Sequence, residues 1–68
     1  MKVNLYDRVR LLRDRPDVGL RRGDIGVVVD VHVRPVLGYE VEFTDDSGRG
    51  KGVWIAGFAA DEVERVPS

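Results

Sequence analysis

Arg22-Gly23-Asp24-Ile25-Gly26-Val27-Val28-Val29-Asp30-Val31-His32-Val33 decides the fold. A polar Gly-Asp turn feeds a β-branched run, which predicts the longest strand and the spine of a small sheet. Gly26 falls early in that strand, where a missing side chain marks a bulge, a bend or a close backbone approach. A strand that leaves a turn, bends early and then runs long suits a very small β-barrel.

The segments on either side alternate in the same manner. Leu5, Asp7, Val9 and Leu11 share one side of a first strand, and Tyr6, Arg8, Arg10 and Leu12 share the other. Tyr39-Glu40-Val41-Glu42-Phe43 places three large apolar residues on one face and two glutamates on the other. Lys51-Gly52-Val53-Trp54-Ile55 predicts a fourth strand and Glu62-Val63-Glu64-Arg65-Val66 a short last one. The expected core is Val9, Leu11, Ile25, Val28, Val41, Phe43 and Val63.

Polar connections separate these strands. Residues 13–22 form a charged loop punctuated by Pro16 and Gly19, with Val18 and Leu20 folding back over the core. Arg34-Pro35-Val36-Leu37-Gly38 has hairpin length, and Thr44-Asp45-Asp46-Ser47-Gly48-Arg49-Gly50 is a turn rich in Asx and glycine chemistry. Ala56-Gly57-Phe58-Ala59-Ala60-Asp61 is too short for a full helix and predicts one 3₁₀ turn. The pattern predicts one all-β domain over residues 1–68, built of about five short antiparallel strands.

Size and charge narrow the function. A chain of 68 residues without cysteine has room for one small core and no disulfide or thiolate metal site. Its N-terminal residues contain no apolar signal segment, so the expectation is a soluble cytoplasmic protein. Residues 1–25 carry seven basic against four acidic groups, a balance of +3, and the remainder four against eight, a balance of −4. A nucleic-acid binder draws its affinity from a basic excess, which the whole chain lacks.

Within this pattern the order of parts resembles the SH3-like small barrel. More closely, Asp7-x-Val9-x-Leu11-Leu12, Leu20-x-Arg22-Gly23-Asp24-x-Gly26-x-Val28-Val29, Tyr39-Glu40-Val41-Glu42-Phe43, Asp46-x-Gly48 and Ala60-Asp61-Glu62-Val63 resemble a bacterial family of free-standing small domains of unknown function. The resemblance implies an SH3-like barrel and brings no catalytic residues. The small separate reading frames of that family accord with an antitoxin, immunity or adaptor role. The Gly23-Asp24-x-Gly26 strand is also similar to the ribosome-associated KOW motif and to the barrel of the nitrile hydratase beta subunit.

Candidate chemistry is sparse. His32 is the only histidine, and one histidine among scattered carboxylates does not predict a metal site. Glu40 and Glu42 share a face with no apolar flank, which reads as solvated carboxylates rather than an acid–base pair. Asp45-Asp46-Ser47-Gly48 lacks the ligand series of a calcium loop. No hydroxyl has a recognisable histidine–acid partnership. The expectation is no enzyme, no cofactor and no metal.

Binding residues are easier to nominate. Arg13, Arg15, Arg21 and Arg22 come from the charged loop, and arginine captures carboxylate or phosphate through a planar fork. Trp54 is an interface anchor if Val53 and Ile55 point inward, and core if Gly52 and Trp54 do. Val36 and Leu37 either plug the barrel end or offer an apolar contact. The expected function is a non-catalytic module binding a protein partner through Trp54, Val36, Leu37 and the arginine loop. The alternative is a KOW-like nucleic-acid barrel using Arg8, Arg10, Arg13, Arg15, Arg21 and Arg22.

Overall fold

Among the described residues, five strands form one antiparallel sheet in the order β4-β3-β2-β1-β5. They are β1 Arg8–Leu11, β2 Ile25–His32, β3 Gly38–Thr44, β4 Val53–Ala59 and β5 Val63–Arg65. This computed structural model describes residues 3–44 and 53–67, with the strand but not the side chains at Val53 and Trp54. The turn expected over residues 44–50 lies, beyond Thr44, outside the described residues, as do Lys51 and Gly52 at the expected start of the fourth strand. Strands β1 to β4 follow one another around the sheet, and β5 returns to pair with β1. The fold is all-β, and no helix among the described residues is long and apolar enough to cross a membrane.

The phase of β2 corrects one expectation. Val9 is wholly buried and its ladder partner is Gly26, so position 26 faces the core. Alternation then turns Ile25, paired with Arg10, to the outer face, where it is 49% exposed instead of buried. The register runs evenly through Gly26 and shifts later, between Val28 and Asp30. That shift is a bulge, and it returns Val31 to the core side opposite Tyr39. Close approach is what Gly26 provides: a Cβ there would stand 2.6 Å from Val41 Cγ1 and from the Glu42 carbonyl oxygen.

β4 brings a second correction. The single turn expected over 56–61 is displaced, because β4 continues through Ala56, Gly57 and Phe58 to Ala59. The turn itself is confined to Ala60–Glu62, and a further 3₁₀ turn, Pro16–Val18, sits in the charged loop. Small residues read as turn-formers here because nothing local reveals that β3 pairs along their length. Phe58 is consequently core, with its ring 5.9 Å from that of Phe43 in an edge-to-face contact.

The remaining core follows from alternation. Val9, Leu11, Val28, Val41, Phe43 and Val63 are buried, joined by Tyr39, Leu20, Ala56, Phe58 and Val3. Leu5 and Tyr6 precede the first strand instead of belonging to it, and both are exposed. The Asp7 side chain accepts from the Asn4 backbone N–H, and Tyr6 takes a left-handed backbone, φ 71°. The charged loop closes through two backbone bonds between Arg15 and Leu20, with Gly19 at φ 74° making the turn. Leu20 is thereby pressed into the core, with Val18 packed partly against it, as the apolar spacing requires.

Candidate functional site

The arginines of the charged loop divide into two groups. Arg15 is held within the fold. Its Nε and Nη2 donate to the two oxygens of Asp17 at 2.9 Å, and its Nη1 donates to the Gly57 carbonyl and to Glu62. The guanidinium also lies 4.9 Å above the centre of the Phe58 ring, a cation–π contact. The hydrogen bond from Arg15 holds the Asp17 carboxyl below its ordinary pKa, and the same bond raises that of Arg15. Glu62 takes a further bond from the Ala59 N–H, so Arg15 ties the loop to the end of β4.

Arg13 faces Asp61 at 3.9 Å, both side chains being largely exposed, and Arg10 pairs with Glu64 across β1 and β5 at 2.6 Å. Arg21 and Arg22 differ. Their backbone N–H groups donate to Asp24 and Asp14, and both residues are exposed. Of the six arginines expected on one basic face, Arg10, Arg13 and Arg15 are matched by carboxylates, and Arg8, Arg21 and Arg22 have no such match among the described residues.

The connection between β2 and β3 carries exposed apolar residues. Val36 is 71% exposed and Leu37 44%, with Val33 beside them at 68%. Val36 and Leu37 are exposed and absent from the buried core. Tyr39 is buried on the core side of β3 with Val41 and Phe43. Trp54 lies on β4 opposite Phe43 in the ladder, and its side chain is outside the described residues.

Two groupings escape sequence spacing. Tyr6, Asp7, Arg8, Arg65, Val66 and Pro67 line a concavity of about 470 Å³, formed because β5 runs beside β1. No sequence signal couples Arg8 to Arg65; only the pairing of the first and last strands does. The second grouping is Asp30, His32 and Glu40 on the outer face of β2 and β3, whose ligand atoms lie within 4.8 Å of one another. His32 Nε2 stands 2.5 Å from Glu40 and 3.7 Å from Asp30. The hydrogen bond with Glu40, and next the charge of Asp30, raise the pKa of His32.

No curated protein and no solved structure matches the chain at a significant level. A family model does match, over residues 5–54, from the turn before β1 into the start of β4. That span contains the Gly23-Asp24-x-Gly26 strand and the exposed β2–β3 connection. The chain belongs to the family described as Domain of unknown function (DUF4926).

Proposed function

We propose that the chain is a non-catalytic interaction module of the bacterial cytoplasm that binds a protein partner, as an adaptor or an antitoxin- or immunity-like subunit. The observation that carries this reading is the exposed apolar tip of Val33, Val36 and Leu37 between β2 and β3. Apolar side chains held at the end of a hairpin gain by being covered, and a protein surface covers them better than nucleic acid does. Arg21 and Arg22 add exposed charge that orients an acidic partner. Arg15 is left out of this surface, because its donors are satisfied inside the fold.

The test is capture by immobilised protein from lysate of the source cells, comparing wild type with Val36→Asp/Leu37→Asp. One specific protein retained by wild type and lost by the variant supports the reading. Retention of that protein by a folded variant overturns it.

One observation favours the alternative, a nucleic-acid partner. Tyr6 is 72% exposed beside Arg8 and Arg65 in the same concavity, an aromatic ring with two cations around it. Single-stranded RNA retained at low salt, released by raising salt and lost in Arg8→Ala/Arg65→Ala, establishes that reading in place of the first.

A further inference from the structure

We propose that Asp30, His32 and Glu40 form a binding site for a divalent cation of the zinc class on the outer face of the sheet. Its construction begins at the β2 bulge. The register shift between Val28 and Asp30 sets Asp30 directly opposite Glu40. Two residues on, strand alternation returns His32 to the same face. Three ligand-bearing side chains thus rise from two paired strands, with no loop among them.

The donor set fits a borderline cation. One imidazole and two carboxylates suit zinc, which takes nitrogen and oxygen donors at about 2.0–2.2 Å. Tetrahedral ligands at that distance stand roughly 3.4 Å apart. Here Nε2 of His32 is 2.5 Å from Glu40 Oε2 and 3.7 Å from Asp30 Oδ2, so small side-chain rotations admit the ion. Asp30 is steadied for this: its Oδ1 accepts the Val31 backbone N–H at 2.8 Å, leaving Oδ2 toward the imidazole.

The surroundings leave room above the three donors. The ladder partner of His32 on β3 is Gly38, and the partner of Glu40 on β4 is Gly57. A Cβ at Gly57 would meet no atom within 4 Å, so neither neighbour covers the cluster with a side chain. The side chains of Asp30, His32 and Glu40 are 57%, 49% and 42% exposed, which leaves the fourth coordination position to water or to a donor from another molecule. Magnesium, which prefers an all-oxygen octahedron, is poorly served by this set.

The experiment is a titration of the untagged full chain with zinc chloride alone at mildly alkaline pH, followed by calorimetry and by NMR. Because His32 is the only histidine, its ring signals report the site directly. The expected result is saturable binding of one zinc per chain that shifts those signals, with no matching response to magnesium chloride. Losing even a supporting group typically weakens metal binding roughly 10–100-fold, so His32→Asn and Glu40→Gln, both at exposed positions, are each expected to weaken binding at least that much. An absence of saturable binding by wild type overturns the proposal. So does zinc binding undiminished in folded His32→Asn, or magnesium binding as tight as zinc.

Discussion

Val41 occupies the space that a side chain at position 26 needs: a Cβ on Gly26 would stand 2.6 Å from Val41 Cγ1. The Glu42 carbonyl oxygen lies equally close and belongs to the β3 backbone, so it cannot swing away as a flexible side chain does. Glycine at this point of the spine strand is therefore a packing requirement. Gly26→Ala is expected to destabilise by about 1–3 kcal/mol, the usual cost of overpacking a filled core. In a domain this size that lowers the melting temperature by roughly 4–8 °C per kcal/mol. A thermal melt checks it, and an unchanged midpoint contradicts the register between β2 and β3.

Phe43 and Ile25 make a paired test of which face is inside. Phe43 is 3% exposed and touches Phe58 edge to face, whereas Ile25 is 49% exposed on the outer face. Phe43→Ala is expected to cost about 3–5 kcal/mol, comparable to the whole stability of a small domain. Ile25→Ala, with little buried area to lose, is expected to cost less than about 1 kcal/mol. Denaturant titration of both variants separates them, and equal losses exclude the described phase of β2.

Arg15 predicts a structural effect where an arginine in a charged loop invites a binding one. Removing it strips partners from Asp17, Glu62 and the Gly57 carbonyl and the cation from Phe58. Arg15→Ala is expected to lower stability by about 1–2 kcal/mol, from its ion pairs and its ring contact. Arg21→Ala, which removes an exposed side chain, stays within about 0.5 kcal/mol. The pair also fixes a sign for pH. Asp17 titrates lower in the folded chain than in the unfolded one, so its contribution is present above the unfolded carboxylate value. It disappears as pH falls through the depressed folded value. Acid unfolding of Arg15→Ala is therefore expected to show a smaller loss across that range than wild type.

What the sequence made legible was alternation, and what it concealed was phase and pairing. Val41 and Phe43 follow from a segment with strict alternation, and both are core. Ile25 misled because a glycine cannot show which way its strand faces, and the core side of β2 begins at Gly26 itself. Phe58 misled because alanines and glycine around it carry little strand signal, while the seven paired positions between β3 and β4 decide the matter. The site residues show the same division. Val36 and Leu37 were visible as apolar residues in a connection. The meeting of Asp30 with Glu40 depends on a bulge, and that of Arg8 with Arg65 on first and last strands pairing.

The binding surface yields the last prediction. Val36 and Leu37 project from the β2–β3 connection and contribute nothing to the buried core, so charge can be placed there without loss of fold. Val36→Asp/Leu37→Asp is accordingly expected to melt within about 1 kcal/mol of wild type, as surface changes usually do. Its effect on a protein partner is expected to be large, because an aspartate facing an apolar patch must be desolvated without compensation. Arg21→Ala and Arg22→Ala act differently: rim charges mainly set the encounter rate, so they slow association and weaken its salt dependence while dissociation stays near wild type. Surface plasmon resonance with the captured partner, run at two ionic strengths, reads these effects separately. If instead both arginine variants accelerate dissociation and the aspartate variant binds normally, the contact lies on the charged loop and not on the hairpin tip.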